Sequence, residues 1–161
     1  MTQDRRLVLG LDPGLERTGF AFLRVEAGHL ALVEYGLVRT LAKDSLARRL
    51  TVLRRDLSEL LKRHAPQSAA VESLFFSKNV STALPVAHAR GVLLQMLDEC
   101  GIAYFEYTPS QVKKSVVGHG RADKNQMMLM CARRLGRTQP FTQDDASDAV
   151  ALALVQAYRK E

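Results

Sequence analysis

Residues 7–11 form a short apolar run that stops at Asp12-Pro13-Gly14, the pattern of a buried strand running into a turn. Residues 18–25 and 29–40 then read as two strands, joined at Glu26-Ala27-Gly28, which carries a hairpin signal. The chain therefore opens with three antiparallel strands. At this point the period changes from two to that of a helix. Leucines at 46, 50, 53, 57, 60 and 61 recur at helical spacing, with Arg48, Arg49, Arg54, Arg55, Lys62 and Arg63 between them. This is an amphipathic helix that Asp44 or Ser45 can cap.

Downstream, strands and helices alternate. Residues 69–75 read as a fourth strand, 78–100 as a helix ending before Gly101, and 102–107 as a fifth strand. Thr108 caps a short helix with Pro109 in its first position, stopping near Gly118, and a further helix runs from about Asp123 to Leu135. The last helix is expected to start near Thr142. Its alanines at 146, 149, 151, 153 and 157 would let its axis lie close to a sheet. Three hairpin-type strands followed by alternating helices and strands predict an α/β domain, a mixed five-stranded sheet flanked by helices. No repeat, linker or low-complexity segment interrupts the chain, so one domain over residues 1–161 is expected.

Composition adds a direction. Apolar residues make up 47% and charged residues 25%, the averages of soluble globular proteins, which argues against disorder and against a coiled coil. Lys and Arg outnumber Asp and Glu by 23 to 17, giving a net charge of +6, a bias toward a polyanionic partner such as nucleic acid. Cys100 and Cys131 are too isolated for a CxxC metal site or a disulfide framework, which points to a reducing cytosol. With neither a signal-peptide pattern nor an apolar run of about 20 residues, the expected protein is cytoplasmic and does not enter a membrane.

Against that basic background four acids stand out. Asp12 ends the most apolar strand, and the ends of central strands are where ligands gather in such sheets, although Asp-Pro-Gly is also a good turn sequence. Glu72 interrupts a segment built for burial; a solvated strand face is the plain alternative. Asp145 lies three residues after Thr142, which suits a capping-box-like helix start. That role does not extend to Asp148. At i and i+3 the two aspartates would share a helical face, where their charges repel unless a cation lies between them. Hard oxygen ligands without His or Cys suit Mg²⁺, or Mn²⁺ as a substitute, rather than zinc. Two such ions could clamp an in-line displacement at phosphate.

Taken together, the motifs resemble the RuvC family of bacterial Holliday-junction resolvases, which have the RNase H-like fold. The likeness rests on Val8-Leu9-Gly10-Leu11-Asp12-Pro13-Gly14 with Thr18-Gly19; on Val71-Glu72 through Phe75 with Lys78-Asn79; on Gln111-Val112-Lys113 with Val116-Val117-Gly118-His119-Gly120 and Lys124; and on Asp145-Ala146-Ser147-Asp148-Ala149. Ala89-Arg90-Gly91 is a smaller match. These blocks run in family order over nearly the whole chain.

The resemblance implies a homodimer that binds a four-way junction and nicks two strands of like polarity, working with a branch-migration complex of RuvA and RuvB family proteins. It implies metal-ligand roles for Asp12, Glu72, Asp145 and Asp148, with two Mg²⁺ per active site. Lys113 and Lys124 take basic catalytic roles beside the phosphate. Phe75 is placed against bases at the junction, where aromatic side chains suit distorted DNA; ordinary core is the alternative. Lys78, Arg90 and His119 complete the expected DNA contacts, with a simple loop histidine as the alternative for His119. Pro85 departs from the pattern, early in the helix that the family uses near its dimer interface. Three other readings compete: a RuvC-like RNA-processing nuclease, an actin-like or sugar-kinase ATPase, and a catalytically silent junction-binding protein.

Overall fold

A computed structural model describes residues 5–74, 80–142 and 146–159 of the chain. Strands β1 (Arg5–Asp12), β2 (Arg17–Glu26) and β3 (His29–Arg39) form the expected antiparallel meander. Ala27 and Gly28 turn the hairpin between β2 and β3 with positive φ. Helix α1 (Leu46–His64) is capped by the Ser45 side chain, which accepts from the Arg48 N–H. It buries Leu53, Leu57, Leu60 and Leu61. Strand β4 (Ser68–Glu72) follows, then α2 (Val80–Glu99), β5 (Ala103–Tyr107), α3 (Pro109–Val117), α4 (Lys124–Arg134) and α5 (Ser147–Tyr158). Thr108 and Asp123 each form a capping box, the first with Gln111 and the second with Gln126.

The sheet order is β3-β2-β1-β4-β5, with β4 parallel to both β1 and β5. This is the mixed five-stranded sheet that the residue pattern predicts. Strand alternation divides the core in two. Leu9, Leu11, Phe22, Ala69 and Val71 pack with Leu53, Leu57, Leu93 and Leu97 of α1 and α2 on one face. Val8, Ala21, Leu23 and Ala70 pack with α4 and α5 on the other.

Two boundaries differ from the sequence expectation. The residue pattern carries the fourth strand to residue 75, but β4 ends at Glu72, after which the Ser73 N–H donates to the Tyr107 carbonyl and the chain leaves the ladder. The same pattern starts the last helix near Thr142, whereas α5 begins at Ser147. Ahead of it Phe141 is buried, edge-on to Tyr35 and under the Arg137 guanidinium, a tertiary anchor that local capping signals do not register. Ala146 occupies the cap position without a side-chain hydrogen bond. Asp145, Phe75 and Lys78 lie outside the described residues.

The small residues of α5 do what their size suggests. A Cβ built on Gly10 would stand 2.0 Å from the Ala149 carbonyl oxygen and 2.5 Å from the Ala153 nitrogen. Helix α5 thus lies directly on the backbone of β1, which brings its first turn to the end of the sheet where Asp12 sits.

Candidate active site

Parallel register decides which side chains meet. β1 and β4 pair from Val8↔Ser68 to Leu11↔Val71, so Asp12 and Glu72 form the next step of the same ladder at the carboxyl ends of two central strands. Val8 and Gly10 face α5, and alternation by two puts Asp12 on that face as well. Ala70 likewise places Glu72 there. Asp148, second residue of α5, approaches from above. A sequence separation of 136 residues thus closes onto one corner of the sheet.

The electrostatics record the crowding. Burial, then the charges of Glu72 and Asp148, push the Asp12 carboxyl up to about 8, and Lys124 pulls it down only in part. Glu72 is raised as well, by burial first and by Asp148 second. Asp12 and Glu72 share a hydrogen bond that raises Asp12 and lowers Glu72. Three carboxyl groups concentrated this way cannot all ionise cheaply without a cation. Among the described residues no group of three or more His, Cys, Asp or Glu side chains closes on a common point as a metal cluster. The arrangement is a hydrogen-bonded pair faced by a third carboxylate, and its all-oxygen donors fit a hard divalent cation.

Beside the acids lies a cavity of about 230 Å³, lined by Glu72, Pro109, Val112, Lys113, Lys124, Met127, Asp148, Ala151 and Leu152. It brings Lys113 of α3 and Lys124 at the start of α4 to the two carboxylates. The sequence pattern singles out both lysines. It does not single out the apolar floor of Val112, Met127, Ala151 and Leu152, whose residues read simply as core. His119 is exposed and does not line this cavity.

Arg90 stands elsewhere. On α2, across the sheet from the acids, it forms an ion pair with Glu106 and its Nε donates to the Glu72 carbonyl oxygen at 3.4 Å. Its side chain retains 18% exposure. The sequence motifs suggest a contact with DNA instead.

With the geometry described, comparison with known proteins gives a consistent result. The RuvC family profile, described as crossover junction endodeoxyribonuclease RuvC, matches residues 8–156. The crossover junction endodeoxyribonuclease RuvC of Syntrophomonas wolfei is 42% identical over 154 residues, covering 94% of this chain and 90% of that protein. The protein of the same name from a Roseiflexus species is 44% identical over 150 residues, covering 93% and 89%. The solved structure of Thermus thermophilus RuvC in complex with Holliday junction substrate superposes with a TM-score of 0.87 at 32% identity, covering 95% of this chain and 93% of that one.

Proposed function

Because the chain belongs to the RuvC family of crossover junction endodeoxyribonucleases, we propose that it resolves Holliday junctions by metal-assisted hydrolysis of two symmetric phosphodiester bonds. The observation that carries the site assignment is the meeting of Asp12, Glu72 and Asp148 at one end of the sheet, with Lys113 and Lys124 on the adjoining cavity. Asp12, Glu72 and Asp148, together with Asp145, would hold two Mg²⁺ ions, with Mn²⁺ as a substitute. Bound there, the ions supply activation of the attacking water and stabilisation of the leaving oxygen.

The chain's own residues do the remainder. A cation held between Asp12 and Glu72 would offset the mutual repulsion of the two carboxylates and favour the ionised form of both. Lys113 and Lys124 set positive charge beside the phosphate, where negative charge grows in the transition state. The products are 5′-phosphate and 3′-hydroxyl ends, which a ligase can seal directly. Recombination and repair are the processes that need such ends.

Two-fold symmetry of the junction asks for a two-fold symmetric enzyme, so the functional unit is a homodimer with Pro85 and α2 near the contact. Branch migration by RuvA and RuvB family proteins would supply the junction, in the cytoplasm. No helix among the described residues is long and apolar enough to cross a membrane. Family membership favours this reading over an RNA-processing nuclease, an ATPase or a silent architectural protein. In addition, acids in a pure DNA binder would repel phosphate without any return.

One incubation tests the whole. The protein is given Mg²⁺ with a synthetic four-way junction, the matching linear duplex and an RNA–DNA hybrid, and every nick is mapped to the nucleotide. Paired nicks at equivalent positions of the junction alone are expected. Asp12→Asn, Glu72→Gln, Asp145→Asn and Asp148→Asn should each abolish nicking while metal-free junction binding holds or tightens. Lys113→Ala and Lys124→Ala should lower the single-turnover rate more than the affinity. Nicking of the linear duplex or the hybrid at the junction's rate would overturn the substrate assignment.

A further inference from the structure

Glu72 is delivered by a strand of only five residues whose ladder ends at that residue. Beyond it the Ser73 N–H bonds to the Tyr107 carbonyl, and the chain turns away. A carboxylate on the last residue of a short strand inherits whatever freedom that strand end has. A further restraint on this strand end lies on the other side of the sheet.

Register places it there. Val71 pairs with Glu106 and Glu72 with Tyr107, so Glu106 points to the α1 and α2 face while Glu72 and Tyr107 point to the α5 face. Arg90 reaches down from α2 and pairs with Glu106 of β5. The same guanidinium donates through Nε to the main-chain oxygen of Glu72 at 3.4 Å. One side chain thereby ties a helix to two parallel strands at the step where the carboxylate departs. It touches the backbone of Glu72 and never its carboxylate, from which the sheet separates it.

We propose that Arg90 is a positioning residue: with Glu106 as its anchor, it clamps the end of β4 so that the Glu72 carboxylate stays turned toward Asp12 and Asp148. The proposal rests on Glu72 being a metal ligand. It replaces the DNA contact that the sequence motifs suggest for Arg90, because a guanidinium committed to Glu106 and a main-chain carbonyl has little left for phosphate. Arginine suits this task better than lysine, since its planar fork serves a carboxylate and a carbonyl at once in fixed directions. Groups that orient a ligand typically change metal affinity by about 10- to 100-fold when lost. The clamp also gives α2 a mechanical route to the metal site, since a shift of that helix moves Arg90 and so the strand end.

The test uses the full chain and the variants Arg90→Gln, Arg90→Lys, Glu106→Gln and Glu72→Gln. Three quantities are read: Mn²⁺ binding without DNA by calorimetry, junction affinity in metal-free buffer, and the Mg²⁺ concentration that half-saturates nicking of bound junction. Arg90→Gln should weaken Mn²⁺ binding and raise the Mg²⁺ requirement by about tenfold or more, with junction affinity unchanged. Arg90→Lys should fall between, and Glu106→Gln should move both metal quantities in the same direction. If Arg90→Gln does not fold, Glu106→Gln, a change at a half-exposed side chain, decides alone. Unaltered metal binding and Mg²⁺ requirement would overturn the clamp, whether or not junction affinity drops. Glu72→Gln separates this from failure of the site itself: if that variant binds Mn²⁺ like the wild type, the metal-site reading falls, whereas if only the Arg90 and Glu106 variants do so, the clamp alone falls.

Discussion

At the scale of single residues the site is held in a costly state. Asp12 has its carboxyl raised from 3.8 to about 8, by burial and by the charges of Glu72 and Asp148. A folded-state pKa above the unfolded one means that the native protein binds the proton more tightly than the unfolded chain does. The associated stability is complete below about pH 4 and is lost progressively as pH rises through about 8. The metal-free protein should therefore lose stability across that window. Asp12→Asn, which retains a donor for Glu72, should flatten the loss and stabilise the protein at pH 8 by at least about 2 kcal/mol, since each tenfold change in proton affinity corresponds to roughly 1.4 kcal/mol. Thermal melts of both proteins at pH 4 and pH 8, in chelator and in Mg²⁺, provide the check. Mg²⁺ should erase the difference by stabilising the wild type alone. A variant less stable than wild type in chelator at pH 8 would show that Asp12 is a structural turn residue instead. The cysteines need no part in this chemistry: Cys131 is buried, with its thiol pushed up to about 12 by burial and then by Asp148.

At the scale of elements, the decisive contact is between α5 and β1. Helices usually pack on sheets through side chains, yet here the Ala149 and Ala153 backbone lies where a Gly10 Cβ would be. Gly10→Ala should therefore cost about 3 kcal/mol or more, because the obstructing atoms are main chain and cannot rotate away. Whatever native population survives should nick slowly, since displacing α5 displaces Asp148. Gly91→Ala is the control. A Cβ there meets nothing within 4 Å, and replacing a mid-helix glycine of α2 should stabilise the protein by about 0.5 to 1 kcal/mol. Chemical denaturation of both variants tests the pair, and similar losses for the two would show that α5 can lift from the sheet. Pro85 is accommodated inside α2, which continues on both sides of it. Leu84 beside it is 56% exposed, an apolar side chain on the helix assigned to the dimer contact.

At the scale of the molecule, a net charge of +6 coexists with acids gathered at one end of the sheet. Association with junction DNA should weaken steeply with salt, because basic residues displace the counterions condensed on phosphate. Symmetric nicking further requires two sites in fixed relation. Sedimentation at micromolar concentration should find a dimer, and Leu84→Glu, placing charge in the proposed contact, should yield monomers that nick one strand without the paired second nick. A wild-type monomer that resolves junctions fully while remaining monomeric on DNA would end the dimer proposal.

Much of this was legible along the chain. The switch from a period of two to a helical period located the strands and helices, a cap at Asp44 or Ser45 and another at Thr108 marked two helix starts, and acids inside apolar surroundings drew attention to Asp12 and Glu72. These signals are local, since propensity, caps and periodicity act over a few residues. Where long-range packing competed, local reading failed. The last helix starts at Ser147 rather than near Thr142, and Phe141 ahead of it packs on Tyr35 of a distant strand. Parallel register brought Asp12 beside Glu72 and set Arg90 on the opposite face of the sheet. The sequence by itself determined which elements form and which residue types are candidates for the chemistry, because those depend on neighbours a few positions away. Only the tertiary structure decided which side chains meet, because strand pairing and pleat direction join residues that the chain holds far apart.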